Sequence, residues 1–239
     1  MNLKTLILTN YDCYKAGKTI VPKGIMVHST GANNPWLKRY VGPDDGLLGQ
    51  NIYNNHWNTP KPGGRQVCVH AFIGKLADGS IATYQTLPWN HRGWHAGSGS
   101  SGSANDTHIG FEICEDDLTD STYFRRAFIE AVDLCVYLCK LYNLTEKDII
   151  CHSEGYKLGI ASNHADVMHW FPRHGENMDS FRAAVKEGLT KASLAPELSA
   201  GNGKKYYTVQ VGAFASKENA ETMQKKLKEA GFEGFIKYN

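Results

Sequence analysis

VCVHAFIGKLADGSIATYQTL, residues 67–87, reads as two strands joined by a turn. Apolar residues dominate both arms, and Asp78-Gly79 supplies the backbone freedom a hairpin needs. On the N-terminal side, GIMVHST (24–30) reads as a buried strand ending in polar residues; on the C-terminal side, THIGFEIC (107–114) is a further strand. Between them, GWHAGSGSSGSAND (93–106) is too rich in Gly and Ser to pack a core and reads as a loop bordering a site. After Ser121 the period changes. Phe124, Ala127, Phe128, Ala131, Leu134, Cys135 and Leu138 recur every three or four residues, the stripe of an amphipathic helix packed on a sheet. Thr145 to Asp148 looks like a capped helix start before the strand-like DIICH (148–152), and Met178 to Leu189 reads as a last helix. Strands interleaved with helices predict an α/β fold, a mixed β-sheet flanked by helices.

Periodicity stops at TKASLAPELSAGNG, so residues 1–189 form one expected domain, 190–203 a linker and 204–239 a small β-α-β module. The module carries seven Lys against four Glu, a net +3 in a chain whose total is +2. A balance that small gives no pull toward nucleic acid, and no run of apolar residues is long enough for membrane insertion. The first residues, MNLKTLILTNYDCYK, do not read as a signal peptide. The six cysteines show no C-x-x-C spacing and are expected to be mostly buried small hydrophobes of a protein made in a reducing compartment.

Four groups crowd into CHSEGYKLGIASNHADVMHW (151–170): His152, His164, Asp166 and His169. A hydrolytic zinc site needs three protein ligands and one open position. His28 ends the first strand and His152 ends DIICH; if those ends are neighbours, Asp166 can complete a His, His, Asp set from the following loop. Either His164 or His169 could take the third place instead. Any single histidine among ten is more often structural than a ligand.

VHST, VHAFIGKLADGSI, GWHAG, IGFEIC, and H-S-E followed by N-H-A-D occur here in that order. Together they resemble the type 2 N-acetylmuramoyl-L-alanine amidase family, which shares its fold with the peptidoglycan recognition proteins, over residues 22 to about 185. The resemblance implies Zn2+ held by His28, His152 and Asp166, Glu112 as the base beside the metal, and His164 aimed at the scissile carbonyl. It also makes His95 a substrate-groove candidate and His70 a packed neighbour of the metal site. Glu154 competes with Glu112 for the role of base. Trp36, Tyr40, Trp57 and Trp94 are open between groove lining and core.

YYTVQVGAFASKENAETMQKKLKEAGF is similar to the first half of a SPOR-type peptidoglycan-binding domain, implying a wall anchor or a homodimer built from paired halves. The expected function is hydrolysis of the bond between N-acetylmuramic acid and L-alanine by a phage endolysin or bacterial autolysin. Such a protein, made in the cytoplasm, would act on the cell wall after release, with glycan strands and stem peptides as its partners. The rival is a non-catalytic peptidoglycan-binding protein of the same fold. A zinc peptidase of unrelated fold is disfavoured by the lack of H-E-x-x-H.

Overall fold

The computed structural model describes residues 1–194 and 216–229. In chain order the described elements are β1 (Leu3–Thr5), α1 (Asp12–Lys15), β2 (Gly24–Ser29), β3 (Ala71–Lys75), β4 (Ile81–Gln85), β5 (His108–Ile113), α2 (Ser121–Tyr142), β6 (Ile149–Cys151), α3 (His152–Lys157), α4 (Met178–Leu194) and α5 (Lys217–Glu229). The strands form one mixed sheet in the order β1-β4-β3-β5-β2-β6. Only the β3–β4 hairpin is antiparallel; β3, β5, β2 and β6 run parallel.

Side chains alternate across a strand, so each parallel strand feeds both faces of the sheet. Ile25, Val27, Ile109, Phe111, Ile113, Ala71 and Ile73 point to one face, where the α2 stripe and Phe181 and Val185 of α4 cover them. Helix α2 starts where Asp120 accepts hydrogen bonds from the backbone N–H groups of Thr122 and Tyr123, and ends at Asn143 in the left-handed region. Burying such a stripe contributes roughly 1.5–3 kcal/mol for each large apolar side chain.

The opposite face divides. Over β3 and β4 it is closed by loop residues around Leu8, Tyr11, Leu37, Tyr40 and Leu48. Tyr40 stacks on Phe72 and Trp57 meets the same ring edge-on, so these two aromatics are core rather than groove lining. Over β2 and β5, by contrast, the face carries Met26, His28, Gly110 and Glu112, and there the site forms.

Several expectations shift in detail. The second strand begins at Ala71, not Val67, because Cys68 pairs its backbone with Trp94 and bonds through sulfur to Cys13. That disulfide spans 55 residues with no local motif to announce it; Cys114, Cys135, Cys139 and Cys151 are free and buried. His152 does not end a strand but opens α3, since the Glu154 carboxylate accepts from Cys151 N–H at 3.0 Å and turns the chain into a helix. The helix then runs to Lys157. Helix α4 continues to Leu194, five residues past its expected end at Leu189. The rest of the linker and both strands expected in the tail lie outside the described residues. Within the tail, α5 presents Ala220, Met223, Gln224 and Leu227 on its less exposed stripe.

Candidate metal centre

Parallel register brings the first two functional groups together. His28 on β2 lies opposite Glu112 on β5, and Val27 lies opposite Cys151 on β6, so His152 follows one position beyond. Directly paired residues of parallel strands share a face. The loop after α3 then returns Asp166 to the same point. His28 Nδ1 lies 3.0 Å from Asp166 Oδ2 and 3.1 Å from His152 Nδ1, and His152 Nδ1 is 3.6 Å from Asp166 Oδ2. These three atoms form the group able to hold a metal ion among the described residues.

Hydrogen bonds on the far side of each ring decide which lone pairs face inward. His95 Nε2 donates to the His108 carbonyl at 3.2 Å, leaving its Nδ1 as an acceptor for His28 Nε2–H at 3.0 Å. His28 thereby turns Nδ1 toward the centre. Ser162 donates its hydroxyl proton to the Ala96 carbonyl, so its oxygen accepts from His152 Nε2–H at 3.3 Å, and His152 also turns Nδ1 inward. Outer partners of this kind fix the tautomer and ring direction of metal-binding histidines. Two nitrogens with 3.1 Å between them and a carboxylate oxygen alongside match the edges of a zinc tetrahedron. Bonds of 2.0–2.1 Å put such ligands roughly 3.3 Å apart. Two imidazoles and one carboxylate suit zinc.

Electrostatics agree with that geometry. Burial lowers the His28 pKa, but the hydrogen bond and charge of Asp166, with the charge of Glu112, outweigh it and raise the value. Without metal, a proton on Nδ1 stands where the cation would bind, and metal uptake displaces it. Burial pushes Asp166 up, yet its hydrogen bond to His28 and the charges of both histidines bring it below the usual carboxylate range. His152 is lowered to about 4 by burial and the neighbouring His28, so it stays neutral. Glu112 is raised to about 7, by burial first and by Asp166 and Glu115 next, against the pull of His28. Its buried Oε2 has no hydrogen-bond partner among the described residues.

The other expected residues separate. His164 is exposed and stacks on His152 with ring centroids 4.7 Å apart, outside the three-atom group. His95 stands behind His28, with both its ring nitrogens engaged, one by His28 and one by the His108 carbonyl. Its ring passes over Gly110, where a Cβ would come within 2.5 Å of it. His70 accepts from Gly110 N–H at 3.0 Å and donates to the His91 carbonyl at 2.8 Å, a structural role. Glu154 is tied to Arg182 by contacts of 3.0–3.1 Å and to Cys151 N–H, which removes it as a base. His169 faces Glu115 at 2.9 Å, and the same carboxylate oxygen accepts from Gly31 N–H. Glu115 and Ser162, both missed in the sequence, were detectable only as polar residues next to motifs.

A pH dependence of stability follows from the histidines that bind no metal. His70 is lowered to about 4 by burial, and His108 likewise, with Asp148 opposing the shift. Between pH 6.5 and 4 the unfolded chain takes up protons that the folded chain refuses, so stability falls as pH falls through that window. The slope reaches roughly 1.4 kcal/mol per pH unit for each residue. Urea unfolding at pH 7 and pH 5 should show a clearly lower midpoint at pH 5; equal midpoints would contradict this assignment.

A family model described as N-acetylmuramoyl-L-alanine amidase matches residues 17–172, and one described as SPOR domain matches residues 201–239. N-acetylmuramoyl-L-alanine amidase XlyA of Bacillus subtilis (strain 168) is 41% identical over 126 residues, 46% of this chain and 40% of XlyA. N-acetylmuramoyl-L-alanine amidase CwlH of the same organism is 38% identical over 71 residues, 30% of this chain and 27% of CwlH. The chain thus spans less than half the length of these curated relatives. The solved structure of PlyL matches with a TM-score of 0.55 at 22% identity, covering 79% of this chain and 98% of that one. The catalytic domain of XlyA matches with a TM-score of 0.52 at 24% identity, covering 77% and 99%. At these identities the structural likeness speaks for the fold.

Proposed function

The chain belongs to the N-acetylmuramoyl-L-alanine amidase family, and from that premise we propose that it is a zinc hydrolase cutting the amide between N-acetylmuramic acid and L-alanine of peptidoglycan. The observation that carries the reading is the inward pair of histidine Nδ1 lone pairs beside Asp166, with the unpaired Oε2 of Glu112 on the next strand. A non-catalytic binder has no need of an unpartnered buried carboxyl in that position.

His28, His152 and Asp166 would hold the ion, which supplies Lewis acidity: it acidifies water and polarises a carbonyl. Glu112, raised to about 7, can accept a proton from the attacking water at Oε2 and return it to the departing amine of L-alanine. Burial keeps that carboxyl from being a permanent anion, so both halves of the transfer are accessible near neutral pH. His164, beside His152 and free of hydrogen bonds to the described residues, offers an N–H to the carbonyl oxygen as negative charge develops there. Ser162 and His95 hold the two metal-facing rings still while this happens.

The tail supports the same reading. Its match to the SPOR model suggests a second grip on peptidoglycan, and tethering to an insoluble polymer raises local enzyme concentration even when each contact is weak. Pairing of two tails would make a homodimer. No helix among the described residues is long and apolar enough to cross a membrane. Mass spectrometry of digested sacculi tests the proposal by naming the broken bond. Intact stem peptides with a free L-alanine amine are expected, and products cut within the peptide or the glycan would reject it.

A further inference from the structure

Strand β6 lies at one edge of the sheet, where backbone groups on the outer side have no neighbouring strand to pair with. Two of them are nevertheless taken. Arg182 of α4 donates from Nη1 to the Ile149 carbonyl at 3.2 Å, and Glu154 accepts from Cys151 N–H at 3.0 Å. The two side chains also hold each other, with Nη1 at 3.0 and 3.1 Å from the carboxylate oxygens and Nη2 at 3.1 Å. We propose that Arg182 is a positioning residue for the metal: through Glu154 it fixes the backbone turn at which His152 leaves β6 for α3. The inference rests on the metal reading and extends it to a helix that covers the other face of the sheet.

His152 is the first residue of α3, a helix of six residues. A helix that short is not stable alone, and the N–H groups of its first turn need outside acceptors. Glu154 supplies one by reaching back to Cys151 N–H. The guanidinium engages both carboxylate oxygens, so this side chain has one direction rather than several. The constraint then reaches the site by two routes. His152 follows Cys151 directly, and Ser153 N–H donates to the Asp166 carbonyl at 3.4 Å. Ser162 steadies the ring of His152, while the Arg182–Glu154 pair steadies the backbone that carries it.

Arg182 is anchored firmly enough for the task. Phe181 beside it and Val185 one turn on are wholly buried in the core, and Asp179 one turn back accepts from Nη2 at 2.7 Å. An ion pair near the surface contributes little to stability by itself. A pair that only tied α3 to α4 would leave the β6 backbone to water. This one takes up an outward group on either side of Ile150, the residue paired with Met26 on β2. The contacts therefore run unbroken from the buried side of α4 to the residue that precedes the metal-facing histidine.

Chelator competition on the full chain, with zinc alone and no substrate, reads the effect. Arg182→Gln should bind zinc about tenfold more weakly than wild type, the low end of what losing an outer hydrogen-bond partner costs. Glu154→Gln should do the same, and the double variant should lose about tenfold rather than about a hundredfold, because both act through one link. With Co2+ in place of zinc, the visible absorption of Arg182→Gln should shift, since a displaced nitrogen alters the geometry around the metal. Val185→Ala is the control for stability alone: it removes core contacts of α4 but leaves the Arg182–Glu154 pair, so it should lower the urea midpoint and keep wild-type zinc affinity. Equal losses of affinity in Val185→Ala and Arg182→Gln, additive losses in the double variant, or wild-type affinity in both single variants would overturn the proposal. If Arg182→Gln does not fold, Glu154→Gln, which keeps an oxygen for Cys151 N–H, carries the same comparison. Wild type that binds no zinc would sink the metal reading and this proposal with it; the expected zinc affinities without amide cleavage would sink the amidase reading and leave the role of Arg182 standing.

Discussion

Glu112→Gln should retain one zinc per chain and lose about 10²- to 10⁴-fold of amide hydrolysis, the range a positioned proton carrier contributes. The substitution keeps the side-chain volume, so the contacts on β5 survive, and the amide can neither take the proton from water nor return it to the amine. The unpaired Oε2 and the pKa raised to about 7 mark a group held in a costly state. Removing its charge should therefore leave thermal stability of the metal-free chain unchanged or higher above neutral pH. The sign follows from linkage: a carboxyl with a raised folded pKa weakens the fold as pH rises through that value. Release of free L-alanine amines from sacculi, together with metal content, checks both halves. Near-normal release from Glu112→Gln would assign the base elsewhere.

The second large effect concerns the metal. His28→Ala should drop zinc content from one per chain to none and activity by on the order of 10³ or more, because no nitrogen remains at the β2 corner of the triangle. His95→Ala should be milder, with zinc affinity about 10- to 100-fold weaker by chelator competition, the usual cost of removing an outer hydrogen-bond partner. The graded order, ligand worse than support, is the informative result. Equal zinc affinity in His95→Ala and wild type would mean that the His95–His28 hydrogen bond does not set the ring.

Much of this architecture could be read from residues alone, and the reasons are local. Strands β2 and β5 announce themselves because apolar side chains alternate with the site-facing positions Met26, His28, Gly110 and Glu112. The α2 stripe is long enough for its period to be unambiguous. The sequence did not reveal β1, whose three residues are too few to show alternation and which exists because β4 offers an edge. His152 was misplaced on a strand, although Glu154 three positions after Cys151 has the spacing of a capping interaction. The support role of His95 depends on Gly110 and the His108 carbonyl, which converge only once β5 is laid beside the loop. No spacing rule could foresee the Cys13–Cys68 pair or the grip of Glu115 on His169.

Neighbouring strands in a sheet are locked about 4.8 Å apart, so positions 28 and 112 keep a separation that neither heat short of unfolding nor a bulkier ligand can stretch. The remaining partners, 152, 164 and 166, arrive on a short helix and a loop. An engineer wishing to retune this protein for a different wall polymer would therefore leave the strand-borne half alone. Diversity belongs in the loop around these positions, with His152, Ser162, His164 and Asp166 kept, because there the backbone can yield without unseating the proton carrier.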